Sequence, residues 1–295
     1  MAVDREAAYA VVRAVAARLG LDDTGIELLG PIADNAVFRL PGRTVARIAT
    51  SAAGDRALRE VRTGRWLATQ GLPAVEPLDS IQQPFGVDGH VVTLWHEIPE
   101  ASMASTAELA ALLRQLHSLP VPTNFDIPAL DPFVRLDEHL AAAEPELNAS
   151  DRGFLTERLE ELKAGFTRVT EGLPVCVIHG DANRKNAVRG RGGRAVLLDL
   201  ERFSLGPREW DLVVPAVYQR LGWYSDSEYN AFVEAYGWDI RTWPGFTTYA
   251  ALREFRMTAW LLSRLTREPR LRTEATTRIA SLRTPDAPRS WTPGT

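Results

Sequence analysis

The stretch from Val175 to Asn186, Val175-Cys176-Val177-Ile178-His179-Gly180-Asp181-Ala182-Asn183-Arg184-Lys185-Asn186, runs from an apolar segment straight into a carboxylate. Val175 to Ile178 reads as a strand that stops at His179-Gly180, which places Asp181 at a strand end. Asn186 follows five residues later, and a second apolar run, Ala195 to Leu198, ends on Asp199. A carboxylate, an amide oxygen and a second carboxylate therefore converge on one point. Such a set can orient a hydroxyl and hold Mg²⁺ on nucleotide phosphates, because hard oxygen donors suit a hard cation and the hydroxyl needs an acceptor for its proton. Asp, Asn and Gly are also ordinary turn formers. The apolar strand before each carboxylate favours the chemical reading over a pair of surface turns.

The elements that must position these residues fall into a β-rich half and a helical half. Ala8, Val11, Val12, Val15 and Leu19 recur at helical spacing over Arg5 to Leu19, and Gly20 follows as a stop. Three strand signals come next, Gly25 to Leu29, Ala36 to Leu40 and Thr44 to Ile48. Gly54 to Gln70 places Leu58, Val61, Trp66 and Leu67 on one helical face. Asp88-Gly89 joins two further strands, Phe85 to Val87 and His90 to Trp95, as a hairpin. Beyond Pro99 the periodicity is helical over 107–118, 135–143 and 151–170, and again from Trp210 to about Leu282. The predicted fold class is α+β, with a β-rich lobe over 1–98 and a mostly helical lobe over 99–295.

Composition sets further bounds. A hydrophobic content of 45% with 24% charged residues is that of an ordinary soluble globular chain. A net charge of −4 and a pI near 5.8 argue against the broad cationic surface of a sequence-independent nucleic-acid binder. The single cysteine, Cys176, excludes an internal disulfide, and its place in an apolar strand reads as a buried structural thiol. Asp4 and Glu6 near the N-terminus, with no apolar run long enough to cross a bilayer, point to a cytoplasmic protein without a membrane partner. The tail from Arg283 to Thr295, containing Pro and Thr, reads as loosely ordered. Oligomeric state is not specified by any of these features.

The run His179-Gly180-Asp181-Ala182-Asn183-Arg184-Lys185-Asn186, followed by Leu197-Leu198-Asp199-Leu200-Glu201 and by Gly206-Pro207-Arg208-Glu209-Trp210-Asp211, resembles the aminoglycoside phosphotransferase family, small-molecule kinases with a protein-kinase-like fold. Arg59-Glu60, Trp95-His96-Glu97 and Leu116-His117-Ser118-Leu119-Pro120 sit where that family has similar elements. The resemblance covers the chain from about Leu28 to Leu212. It implies that Asp181 is the catalytic carboxylate, aiming a substrate hydroxyl at the γ-phosphate. It implies that Asn186 and Asp199 hold Mg²⁺ on ATP or GTP, and that Asp211 and His179 brace the catalytic loop. Lys185 would neutralise charge on the transferred group, with a solvated loop lysine as the equal alternative.

On the nucleotide side the chain departs from that pattern. Its only lysines are Lys163 and Lys185, so Arg47 occupies the position of the family's third-strand lysine. Its fork can still bridge phosphate and carboxylate, which makes Arg47 with Glu60 an expected ion pair. Gly30 to Ala36 stands where a phosphate loop belongs but has one glycine; Asn35 within it is a candidate nucleotide ligand. The resemblance places the backbone of Trp95, His96 and Glu97 on the adenine edge, with Ile48 and Leu94 as apolar walls.

The implied activity is Mg²⁺-dependent transfer of the γ-phosphate of ATP or GTP to a hydroxyl of a small molecule, an aminoglycoside or other antibiotic among the candidates. A metabolite kinase of choline, homoserine or sugar type is the alternative, and a non-catalytic kinase-like binding module the third reading. Glu201, Trp223 and Glu254 are candidate substrate residues. Asp226, Glu228, Glu234 and Asp239 are further acids that a polycation would require, whereas Arg253, Arg256 and Arg264 would repel one.

Overall fold

The computed structural model describes residues 3–32, 34–284 and 288–293; Ala33, in the expected phosphate loop, and five residues of the tail region lie outside them. In chain order, α1 (Arg5–Arg18), β1 (Glu27–Leu28), β2 (Asn35–Leu40), β3 (Thr44–Thr50), α2 (Gly54–Thr69), β4 (Phe85–Val87) and β5 (His90–His96) come first. Then follow β6 (Ser102–Met103), α3 (Thr106–Leu116), α4 (Leu136–Ala143), α5 (Ala149–Thr170) and β7 (Cys176–Ile178). The remainder comprises β8 (Ala187–Arg189), β9 (Ala195–Leu197), β10 (Ser204–Gly206), α6 (Glu209–Arg220), α7 (Asp226–Tyr236), α8 (Phe246–Leu262) and α9 (Arg272–Arg283).

The chain gathers into two compact units. The first comprises the chain up to Ala104 with Ser118–Pro128 and Arg184–Phe203; the second comprises Ser105–His117, Ala129–Asn183 and the chain from Ser204 onward.

In the first unit, Asp4 caps α1 by accepting from the Ala7 N–H at 3.0 Å. The sheet runs β1-β2-β3-β5-β4, with Phe38 opposite Ala46 and Ala46 opposite Leu94. Alternation along a strand sends successive side chains to opposite faces. Phe38, Ala46, Ile48, Val92 and Leu94 therefore share one face and are fully buried in a cluster with Val11, Val12 and Val15 of α1. This corrects the expectation for Ile48 and Leu94, which are core residues under α1. The opposite face carries Asn35, Arg47 and Thr93, and these line a small pocket with Arg56 and Glu60 of α2. At the β4–β5 hairpin Asp88 and Gly89 both take positive φ, 45° and 73°, the conformation a two-residue turn of type I′ requires. A second small sheet, β6-β8-β9, pairs Ala187 with Leu197.

The second unit is mainly helical. Ser105 with Glu108, and Ser225 with Glu228, form capping boxes at the starts of α3 and α7. Leu159, Phe166, Val213, Val217, Tyr249 and Phe255 meet in one core contributed by α5, α6 and α8. Strands β7 and β10 pair with Ile178 opposite Ser204 and Cys176 opposite Gly206. A Cβ on Gly206 would stand 2.9 Å from Leu130 Cβ, so only glycine permits that approach.

Strands β6, β8 and β10 fall where the sequence shows no strand signal. Two or three residues cannot express a period. The tail, expected to be loose, is anchored in its described part. Trp291 is buried beneath the Arg278 guanidinium at 4.8 Å, and Arg289 Nε donates to Glu254 at 3.0 Å. Cys176 is half-buried rather than fully buried, with its thiol pushed up to about 12 by burial and by Asp211 and Glu209. Among the described residues no helix is long and apolar enough to cross a membrane.

Candidate active site

Asp181 follows β7 by way of His179 and Gly180. Gly180 takes φ +83°, which permits the sharp exit from the strand. Both bends are held by Asp211, a fully buried residue in the first turn of α6. Its Oδ2 accepts from the His179 N–H at 2.7 Å and its Oδ1 from the Gly180 N–H at 2.8 Å. The same carboxylate lies 3.0 Å from His117 Nε2, and His117 Nδ1 lies 2.9 Å from the Tyr236 hydroxyl. The ring thus bridges the Asp211 carboxylate on one side and the Tyr236 hydroxyl on the other. Trp210 Nε1 donates to the Gly180 carbonyl at 3.1 Å. The loop before Asp181 is therefore tied through N–H and C=O groups to α6 and to the end of α3.

Asp181 itself is about one-third exposed. Its N–H donates to His179 Nδ1 at 3.3 Å, and Oδ2 accepts from Asn183 Nδ2 at 3.2 Å. Oδ1 accepts from Arg253 Nη2 of α8 at 2.9 Å. Arg253 is largely buried, and its Nε has no hydrogen-bond partner. Burial disfavours the charged guanidinium, but Asp181 and Tyr218 outweigh that and raise its pKa. The pairing fixes the Asp181 carboxylate in place and leaves about a third of its surface open.

Asn186 and Asp199 belong to the first unit. The Asn186 carbonyl accepts from the Leu198 N–H at 2.8 Å, which continues the β8–β9 ladder by one pair and brings Asp199 to the same hairpin end. Asp199 is exposed and takes the left-handed conformation, φ 53° and ψ 70°. That backbone is uncommon outside glycine, and Asp is among the residues that tolerate it best. An amide oxygen and a carboxylate at neighbouring backbone positions are donor types that suit a hard divalent cation taking its other ligands from phosphates and water. Among the described residues no three His, Cys, Asp or Glu side chains gather into a metal site. Lys185 is exposed on the 3₁₀ turn Arg184–Asn186.

The nucleotide-side candidates assemble around Arg47. Arg47 Nη1 bonds Glu60 Oε2, Nη2 donates to Glu201 Oε2 at 2.8 Å, and Arg56 Nη1 donates to Glu201 Oε1 at 3.0 Å. With its amide oxygen turned to Arg47, Asn35 accepts from Nη2 at 2.7 Å. Arg56 and Glu60 are four residues apart on α2 and so share a face. Burial pushes the Glu60 carboxyl up to about 7, with Glu201 and Asp199 adding to the rise and Arg47 opposing it. Arg47 stays charged: desolvation works against it, and Glu60, Asp199 and Glu201 more than offset the penalty.

Residues 26–255 match the family profile APH, the phosphotransferase enzyme family. The chain belongs to this family. Solved structures with the same fold include amicoumacin kinase hAmiN in complex with AMP-PNP, Ca²⁺ and Ami, at 12% identity and a TM-score of 0.73, covering 98% of this chain and 97% of that one. The GDP and kanamycin complex of APH(2")-IIia aligns at 17% identity and a TM-score of 0.68, covering 94% and 99%. A choline/ethanolamine kinase family protein from Mesorhizobium loti aligns at 20% identity and a TM-score of 0.64, covering 95% and 96%. The fold of this phosphotransferase family member is thus protein-kinase-like. No curated protein sequence matches the chain significantly.

Other candidates of this family member lie elsewhere than expected. The N–H groups of His96 and Glu97 donate to the Glu76 and Arg43 carbonyls, both at 2.9 Å, so these two donors are engaged within the protein. Trp95 is buried with Nε1 on Thr93 Oγ1 at 2.9 Å, and Glu97 accepts from Arg39 Nε at 2.6 Å. Glu201 is committed to Arg47 and Arg56 rather than turned to a substrate. Trp223 packs against the helical core with Nε1 on the Trp291 carbonyl at 2.8 Å. Glu254 is 1% exposed and paired with Arg289, while its Oε1 lies 3.3 Å from Arg220 without hydrogen-bond geometry. A carboxylate so buried and paired is structural. Sequence reading assigned no role to Arg56, His117 or Trp210, and it placed Arg253 only as a general repulsive charge. His117 closes a motif that the resemblance includes, which is the one signal available for it.

Proposed function

We propose that this protein is a Mg²⁺-dependent phosphotransferase that moves the γ-phosphate of ATP or GTP to a hydroxyl of a small molecule. The observation that carries the reading is the end of the β8–β9 hairpin, where the Asn186–Leu198 backbone pair brings Asn186 and the exposed, left-handed Asp199 to neighbouring positions. Asp181, held by Arg253 and Asn183, supports it as the acceptor-side base. The ligands of the similarly folded kinases, AMP-PNP with Ca²⁺ and GDP with kanamycin, support a nucleotide and a small hydroxylated acceptor as the two substrates.

In this reading the β-rich lobe, 1–98, binds the nucleotide, and the chain beyond it carries the acceptor and the base. Arg47, held by Glu60 and Asn35, binds the phosphates, with Lys185 as a further cation. Bound Mg²⁺, held by Asn186 and Asp199, would supply neutralisation of phosphate charge. Asp181 accepts a hydrogen bond from the acceptor hydroxyl and aims its oxygen at the γ-phosphorus. A bond forms between that oxygen and phosphorus as the bond from phosphorus to the β–γ bridging oxygen breaks. The electron pair stays on the nucleoside diphosphate, and the hydroxyl proton passes to Asp181 and then to solvent. Asp211, through the His179 and Gly180 N–H groups, keeps the base in place.

The test is release of ADP or GDP over a panel of antibiotics and hydroxylated metabolites, with wild type and Asp181→Asn. The expected result is turnover in wild type, reduced on the order of 1,000-fold in the variant, with Mg-ATP affinity preserved. Retained turnover in Asp181→Asn would overturn the assignment.

A further inference from the structure

Which acceptor Asp181 serves can be read from the charges around it in the second unit, granting the phosphotransferase reading above. A polycation needs acids turned toward it, and four of the five candidates are engaged by partners, while Glu234 is exposed on α7. Asp226 accepts from Gln219 at 2.8 Å, and Glu228 closes the α7 capping box. Asp239 takes the Tyr229 hydroxyl at 2.7 Å and Arg241 Nη2 at 2.8 Å. Glu254 is buried against Arg289.

The group that does stand at the base is a cation. Arg253 reaches Asp181 with Nη2 at 2.9 Å, and the remaining interaction recorded for its side chain is with Tyr218. A guanidinium offers five N–H donors in a fixed fork. One is used on Asp181 and another faces Tyr218, Nε is buried without a partner, and 11% of the side-chain surface remains open. An amine brought beside Asp181 would meet Arg253 as a like charge, whereas a planar oxyanion matches the fork.

We propose that Arg253 is an acceptor-binding residue and that the acceptor is a hydroxy-carboxylate, its carboxylate on the Arg253 guanidinium and its hydroxyl on Asp181. The carboxylate would meet the exposed part of the guanidinium, and its hydroxyl is held within reach of the base by the same contact.

The experiment measures binding and Mg-ATP-dependent ADP release with glycerate, gluconate and homoserine. Their counterparts without a carboxylate are glycerol and glucitol, and choline and kanamycin serve as cations. The carboxylates should be bound and phosphorylated in preference to the neutral polyols and the cations. Arg253→Gln, which also loosens Asp181 and so slows every acceptor, should raise the KM for a carboxylate about thirtyfold more than that for the matching polyol. Arg253→Lys should recover part of the loss, since it restores the charge without the fork. Binding of no carboxylate at millimolar concentration would overturn the proposal. So would tighter binding of kanamycin or choline, or an equal loss for carboxylate and polyol in Arg253→Gln, which would make Arg253 only a positioning residue for Asp181. Nucleotide binding is titrated separately. A wild-type protein that binds carboxylates through Arg253 but neither Mg-ATP nor Mg-GTP retains the subsite and loses the phosphotransferase reading.

Discussion

Replacing Asp211 with alanine should both destabilise the second unit and disable Asp181, and the size of the effect follows from three hydrogen bonds. The carboxylate is fully buried and takes the His179 N–H at 2.7 Å, the Gly180 N–H at 2.8 Å and His117 Nε2 at 3.0 Å. In Asp211→Ala all three donors lose their acceptor in a site closed to water. Each buried donor so orphaned costs about 1–3 kcal/mol. Removing the buried charge relieves its own desolvation, so the lower half of the range applies and the sum is about 4 kcal/mol. Asp211→Asn keeps one acceptor oxygen and turns an NH₂ toward the other donors, for about half that loss. Because Gly180 directly precedes Asp181, releasing the loop should also lower turnover about 100-fold in the molecules that remain folded. Urea unfolding followed by tryptophan fluorescence gives the first quantity. Acceptor-dependent ADP release under folding conditions gives the second. A stability loss below about 1 kcal/mol in Asp211→Ala, or turnover within about twofold of wild type, would refute the argument that these bonds hold the base in place.

Two further outcomes follow from burial. Glu60 has its carboxyl raised from 4.5 to about 7, so between those values the folded chain holds a proton that the unfolded chain has released. Stability should therefore fall as pH rises through that window, by at most about 1.4 kcal/mol per pH unit from this group, and Glu60→Gln should remove that slope. Parallel profiles for the two proteins would show that Glu60 ionises normally. Trp291 is 4% exposed, and Trp291→Ala should cost about 3 kcal/mol in thermal or urea denaturation. A loss under about 0.5 kcal/mol would return the tail to the loose state that its composition suggests.

The carboxylates at strand ends were legible because an apolar run that halts at His-Gly-Asp or at Leu-Asp needs only local chemistry to read. The α1 helix, the β4–β5 hairpin and α2 were equally legible, since a period of 3.6, an Asp-Gly turn and a glycine stop are local signals. The bracing of His179 and Gly180 by Asp211 follows a motif of the family the chain resembles. Strands of two or three residues were not legible, because their pairing partners lie far along the chain.

Local pattern alone points to the groups that could do chemistry, Asp181, Asn186 and Asp199, each placed by the strand or hairpin nearest to it. Which charges remain available depends on long-range packing. Glu201 and Glu254 read alike as acids in a divergent region, yet one is held by Arg47 and Arg56 and the other is buried against Arg289. Arg253, one residue before Glu254, stands instead on Asp181. Adjacent residues on a helix point about 100° apart, so neighbours in sequence meet different partners, and the availability of a charge depends on residues far away in the chain.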